Sequence, residues 1–339
     1  MQIGLFHQMW ATSEVEDREF FAQTIADVQL AETLGFESCS FGEHHFVRDR
    51  PFYGRLPIPE VFIAKLAAET TRIKLGTAIK ILILESPLRF AETVSLLDLL
   101  TDGRVIFGLG HGSPADMEHT GFSQAEKHQM FRQQLIEVLD YLSPQRINAK
   151  ITPPPREGLR QLLWLGVRDR ETITLAARLG LNLLVGQGED ATAQNIHSDI
   201  YRQAGGTGAV RGFRLVYVGE TDAEAQEAIT APAQVFFSVR EKLPAYIEAQ
   251  RQGRIGAGSP KDLPDMLNRI NYIVGSPATV AQKLNEYIAA TKVDHLGVKI
   301  HLPGLANEAV RRGMTLFAQE VAPKVQLIKQ PEAVLSSVS

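Results

Sequence analysis

The chain has 339 residues, of which 44% are hydrophobic and 22% charged, and carries a formal net charge of −4 at pH 7. That composition supplies a large globular core, and its mild acidity gives no global electrostatic reason to bind nucleic acid or an anionic membrane. The one cysteine, Cys39, excludes an intrachain disulfide and fits a reducing compartment. The opening residues Met1 to Phe6 do not read as a secretion signal, and no apolar run reaches the ~18 residues of a membrane span, so a cytoplasmic location is expected.

Strands and helices alternate along the chain. Gln2 to Phe6 reads as a strand, and Asp17 to Leu34 as a helix with Phe20, Phe21, Ile25, Val28 and Leu34 near helical spacing and Gly35 as its stop. Phe36 to Gly42 is the second strand; Pro59 to Thr71 is a helix opened by proline. Lys74 to Leu84 is apolar and β-rich, Pro87 to Leu100 helical, Arg104 to Leu109 a strand and Ser123 to Leu142 a helix. The pattern continues through strand Leu162 to Leu165, helix Asp169 to Leu179, strand Leu181 to Val185, helix Asp190 to Ala204 and strand Phe213 to Gly219. His295 to Ile300 is the eighth strand and Glu308 to Val321 the closing helix. Eight βα units at this length predict a (β/α)8 TIM barrel of class α/β.

Two stretches break the rhythm. Ser143 to Arg160 contains Pro153-Pro154-Pro155 and reads as a long connection. Thr221 to Val274 is too long for one βα loop; it carries helical pattern at Ala223 to Ile229 and Val239 to Gln250, then the glycine-rich Gly253 to Gly258. The expectation is a single barrel domain over 1–325, an insertion after strand 7 at about 221–274 that serves as a lid or as surface decoration, and a tail at 326–339.

In such a barrel the chemistry lies at the C-terminal strand ends. Polar candidates there are His7-Gln8, Glu43-His44-His45, Gly110-His111-Gly112-Ser113, Arg168-Asp169-Arg170, and Lys299 with His301. Glu43-His44-His45 is the densest cluster. Neighbours on a strand face opposite ways, so one histidine is expected at the mouth as general acid or base while the other braces it, with Glu43 orienting a ring. In Gly166 to Thr172, Asp169 is a plausible N-cap, and the helix start, with Arg168, Arg170 and Thr172, suits a phosphate. The alternative there is a capped surface helix with solvated arginines. Gly108-Leu109-Gly110-His111-Gly112 lacks the third glycine of a dinucleotide fingerprint, and no phosphate loop, nucleophile elbow or His-Glu-x-x-His is present.

These residues resemble the bacterial luciferase-like flavin-dependent monooxygenases. The resemblance is carried by Glu43-His44-His45-Phe46, Leu75 to Ile79, Pro87 to Glu92, Leu96-Leu97-Asp98, Gly103-Arg104, Gly108-Leu109-Gly110, Ala176 to Gly180 and Gly275 to Val280, in order along the chain. It implies a barrel that uses reduced FMN, usually delivered by a separate reductase, as co-substrate; O2 adds to the flavin and the C4a-hydroperoxide oxygenates a small organic substrate. By position it implies that His44 is catalytic, with Glu43 and His45 beside it, and that Ala78-Ile79 forms a non-proline cis peptide under the flavin ring. Leu109, His111, Val167, Arg168, Asp169 and Thr172 complete the implied cofactor site. Histidine at 111, where luciferase carries arginine, implies weaker or pH-dependent phosphate binding unless Arg168 compensates. Gly110 stands where luciferase has a reactive cysteine, so a strict light-emitting subunit is not implied. A homodimer through Pro59 to Thr71 and Pro87 to Leu100 is.

Other readings remain at this point: a metal-dependent hydrolase on the same barrel, a flavin-binding dimer without turnover, and a deazaflavin enzyme, whose larger anionic tail would want more basic residues at the rim. Against the hydrolase, strand one lacks a His-x-His pair, and Lys299 and His301 stand where strand eight would need an aspartate. Met9, Trp10, Phe46 and Phe52 are candidate apolar lining, although aromatic residues are also ordinary core.

Overall fold

The computed structural model describes residues 3–45, 51–112, 121–145 and 150–327. Its elements run β1 (Ile3–His7), β2 (Trp10–Thr12), α1 (Asp17–Thr33), β3 (Ser38–Phe41), β4 (Phe52–Gly54), α2 (Pro59–Glu69), β5 (Lys74–Ile81), α3 (Pro87–Leu100), β6 (Val105–Gly110) and α4 (Gln124–Tyr141). They continue β7 (Leu163–Leu165), α5 (Arg170–Arg178), β8 (Asn182–Val185), α6 (Ala191–Gln203), β9 (Val210–Val218), α7 (Asp222–Arg240), α8 (Pro244–Arg251), α9 (Leu263–Arg269), β10 (Tyr272–Gly275), α10 (Pro277–Thr291), β11 (His295–Lys299) and α11 (Asn307–Leu316).

Eight parallel strands close a barrel in the order β1-β3-β5-β6-β7-β8-β9-β11, and β11 returns to β1 through Ile3↔Leu296 and Leu5↔Val298. The eight predicted strands are these eight. Three short strands were not foreseen. β2 and β4 pair antiparallel above the mouth through Ala11↔Tyr53, and β10 adds to the far end of β9 through Tyr272↔Leu215 to Gly275↔Val218.

Phe6, Ile106, Trp164, Leu184 and Phe213 fill the barrel interior. Glycines across from them make the room: a Cβ on Gly297 would come within 2.3 Å of the Phe213 ring, and one on Gly108 within 2.7 Å of Leu184. The floor is polar. Glu37 Oε2 lies 3.3 Å from Arg211 and 3.6 Å from His295, Glu37 Oε1 lies 3.2 Å from Lys74, and the Arg211 guanidinium covers the Trp164 ring at 4.8 Å. Burial opposes ionisation of Glu37, but His295 and the charges of Arg211 and Lys74 hold its carboxyl at about 2.

Helix signals in the sequence act as expected. α1 stops at Gly35, whose φ of 82° is left-handed; α2 and α3 carry proline in their first turns; Ser123 and Glu126 form a capping box on α4. The stretch after β9 holds α7, α8, α9 and β10, and α7 runs the full Asp222–Arg240, past the predicted Ile229 and through Pro232.

Candidate functional site at the barrel mouth

The end of β3 is tied to the end of β5. Glu43, buried, accepts from the Ile81 amide at 3.0 Å through Oε2, and its Oε1 lies 2.8 Å from His45 Nε2 and 3.4 Å from Lys80 Nζ. Lys80 is held in turn by Glu60 at 3.2 Å. His45 is thus the bracing ring. His44 turns the other way: its Nε2 donates to the Gln8 carbonyl at 2.8 Å and its ring lies 5.6 Å from Trp10. That bond places the proton on Nε2 and makes Nδ1 the acceptor of the neutral ring. Gly54 makes the space, since a Cβ there would fall 2.2 Å from His44 Cγ.

The Ala78-Ile79 bond is cis, as the resemblance implied. It sits where the β5–β6 register shifts between Thr77 and Lys80. The Ile79 side chain lies across the ends of β6 and β7, where glycine admits it: a Cβ on Gly166 would stand 2.5 Å from Ile79 Cγ2, and one on Gly110 2.9 Å from Cδ1. Leu109 and Val167 are buried beneath this floor.

The start of α5 is capped as predicted: Asp169 Oδ1 accepts from the Thr172 amide at 2.9 Å and from its hydroxyl at 2.7 Å. Burial opposes its ionisation, but these bonds and the nearby His128 and Arg132 keep the carboxyl below its usual range. The cation at this helix start is Arg132 of α4, which donates to Thr172 Oγ1 at 3.2 Å and lies 3.4 Å from Asp169. The sequence reading missed it, because an i, i+4 pattern on α4 says nothing about which loop that helix packs against. Arg168 is paired with a carboxylate, its Nε 2.7 Å from Glu189 Oε1. Arg170 is exposed. Burial, His128, Lys127 and Arg168 together hold the His111 imidazole down at about 4, which leaves it neutral at pH 7. His111, His128 and Asp169 offer ligand atoms within 4.8 Å of one another, the one such cluster among the described residues. Arg132, 3.4 Å from the same carboxylate, opposes a divalent cation there.

At the end of β11 sits Lys299, 1% exposed. Its Nζ donates to Gln8 Oε1 at 2.7 Å and lies 4.7 Å and 5.0 Å from the Trp10 and Phe236 ring centroids. Gln187, at the end of β8, donates to the same Gln8 oxygen at 2.6 Å. Burial, with Arg240 nearby, holds the ammonium well below the usual lysine range. Cation–π contacts contribute ~1–2 kcal/mol, less than the several kcal/mol lost on desolvating an ammonium. Phe236 of α7 brings the insertion over the mouth, stacked on Phe52 at 5.9 Å and facing Trp10 at 6.0 Å. Of the predicted lining, Trp10 and Phe52 stand here, Met9 is fully buried core, and Phe46 and Ser113 lie outside the described residues. The His7 and His301 rings lie tilted against each other at 4.6 Å and pack against Phe20 of α1.

Beside the rim lies a cavity of about 310 Å³ among Arg168, Glu189, His197, Tyr246, Arg254 and Arg269. Its arginines are already neutralised: Arg168 by Glu189 at 2.7 Å, Arg269 by Asp265 at 2.7 Å, and Arg254 by Asp190.

A closed parallel barrel whose C-terminal strand ends carry a capped helix start and a held histidine has the architecture of the (β/α)8 barrel enzymes. The luciferase-like monooxygenase model matches residues 1–295, and the chain belongs to that family of oxidoreductases. A luciferase-like monooxygenase of Escherichia coli (strain K12) is 24% identical over 295 residues, covering 83% of this chain and 86% of that protein. Among solved structures, the oxygenating constituent of 3,6-diketocamphane monooxygenase from Pseudomonas putida, in complex with FMN, superposes with a TM-score of 0.75 at 20% identity, over 97% of this chain and 100% of that one. The coenzyme F420 dependent tetrahydromethanopterin reductase of Methanopyrus kandleri superposes at 0.68 with 18% identity, over 96% and 99%. At these identities the structural likeness establishes the barrel; no helix among the described residues is long and apolar enough to cross a membrane.

Proposed function

We propose that the protein is a flavin-dependent monooxygenase that uses reduced FMN and O2 to oxygenate a small organic substrate with a largely apolar body. The observation that carries this within the family is the pairing of a phosphate-type helix start, Asp169 to Thr172 with Arg132, with a histidine held across the mouth by Gln8.

The residues fit FMN. The α5 start presents Thr172 and the Arg132 guanidinium, Ile79 forms an apolar floor, and glycines at 110 and 166 keep Cβ atoms out of it. Asp169 has a buried oxygen, Oδ2, without a hydrogen-bond partner, and that charge opposes a phosphate beside it. The balance supports modest affinity, which suits a co-substrate that arrives from a separate reductase and leaves again. The deazaflavin alternative is disfavoured because the rim arginines that would meet a longer anionic tail are occupied by carboxylates.

Reduced FMN, when bound, supplies the oxygen chemistry through its C4a-hydroperoxide. The chain supplies the rest. His44, oriented by its Nε2–H bond to Gln8, serves as the general acid or base of the mouth. Glu43, His45 and Lys80 hold the loop that carries it. Trp10, Phe52 and Phe236 exclude water, with the insertion as lid. A homodimer is proposed through α2 and α3, whose outer faces expose Val61 (68%), Leu99 (64%) and Leu100 (57%). Anaerobic titration with photoreduced FMN tests the reading: saturable binding is expected, whereas no binding of either redox state, with metal in the protein as isolated, would replace it with the hydrolase.

A further inference from the structure

We propose that Lys299 is the substrate-anchoring residue of the mouth, and that the site takes an organic acid: an apolar body against Trp10 and Phe236 with a carboxylate on Nζ. The inference rests on the monooxygenase reading and names the substrate class for it.

Three observations converge. Lys299 is buried at the C-terminal end of a barrel strand, and its one hydrogen bond among the described residues is to the neutral Gln8 amide. No carboxylate lies within ion-pair distance of it among the described residues, in contrast to Lys80, which has Glu43 and Glu60. The nearest other charge is also positive: Arg240 of α7, whose guanidinium donates to the Gly188 carbonyl. A buried ammonium without a counter-ion is costly, and a carboxylate that enters with the substrate supplies the partner that none of the described residues provides. The Gln8–Gln187 bond fixes the Gln8 oxygen that holds Nζ in place.

The titratable and charged groups facing Lys299 are His7 on β1, His301 after β11, His44 through Gln8, and Arg240 on α7. All are bases; burial holds the His7 and His301 imidazoles below their usual range, with His301 and Lys299 adding to it at His7 and Lys299 adding to it at His301. Burial and Arg240 hold the Lys299 ammonium well below the usual lysine range, and the arriving carboxylate raises its proton affinity. Acid binding takes up a proton on Nζ, with no bond broken in the ligand.

The test uses FMN-loaded full-length protein and two probes, 3-phenylpropanoate and its neutral analogue 3-phenylpropanol, titrated calorimetrically at pH 7.5 in buffers of different ionisation enthalpy. The acid should bind about tenfold or more tightly than the alcohol, with uptake of up to about one proton. In Lys299→Met both the preference and the uptake should disappear, while the FMN Kd stays within about threefold of wild type. Proton uptake in the wild type needs no variant, so it judges the proposal even if Lys299→Met fails to fold. Equal affinity for the two probes, or a preference that survives Lys299→Met, overturns the proposal. So does a variant that loses reduced FMN instead, because the anion would then be the flavin's own. If the wild type binds no FMN, the monooxygenase reading fails; the same titration on flavin-free protein still decides Lys299.

Discussion

Arg132→Met separates a phosphate site from an ordinary capped helix. Arg132 reaches the α5 start from α4, 3.2 Å from Thr172 Oγ1, and its side chain is only 20% exposed. A charge-assisted hydrogen bond to phosphate contributes ~1.5–3 kcal/mol. Part of that is offset here, because Arg132 already contacts Asp169 at 3.4 Å and Glu171 at 3.1 Å and must turn from them. The lower end, ~1.5–2 kcal/mol, weakens FMN by about 10- to 30-fold. Riboflavin has no phosphate and should change by less than about twofold, and added salt should weaken FMN but not riboflavin. Quenching of flavin fluorescence reads all four Kd values. If both flavins lose affinity equally, or FMN changes less than about twofold, the phosphate does not sit at this helix start.

Four further outcomes are expected. His44→Ala should cut turnover by about 100-fold or more with little change in flavin affinity; equal losses of both would make His44 structural. Gly54→Ala must displace the His44 ring, so stopped-flow assay should show slower turnover with an unchanged circular dichroism spectrum, and full activity would show that the ring position is immaterial. Glu37→Gln should destabilise the barrel by up to ~3 kcal/mol at pH 7, from a carboxyl held at about 2 against 4.5 in the unfolded chain. Because the folded value is depressed, that contribution is complete above about pH 4.5 and fades as pH falls towards about 2, so urea midpoints of wild type and variant should converge there; a constant gap would refute the assignment. Val61→Glu with Leu99→Glu should convert a dimer to monomer by sedimentation equilibrium, and a monomeric wild type would remove the proposed interface.

The eight barrel strands were legible because most are short, largely apolar runs alternating with helical patterns, several of which end at glycine (Gly35, Gly180, Gly205), and that alternation survives without tertiary information. So was the Asp169 cap, a local contact of three residues. The pair β2 and β4 was not legible, since three residues carry no period and their partners are 40 to 44 residues apart. Helix α7 was read too short because Pro232 looks like a stop, yet it lies buried within the helix. The mouth was half legible. His44 and Glu43 stand in one motif, but Arg132, Gln187, Phe236 and the burial of Lys299 depend on which elements meet over the barrel, and nothing in their spacing encodes that. Arg168 shows the converse: adjacent in sequence to Asp169, it is claimed by Glu189.

The central claim is tested most directly by mixing the protein, loaded anaerobically with photoreduced FMN, with oxygenated buffer while the flavin spectrum is followed. The account predicts a transient with the absorbance of a C4a-adduct that decays to oxidised FMN, and a much shorter-lived one in His44→Ala. Direct reoxidation with stoichiometric peroxide, no transient in wild type and no effect of His44 would contradict it.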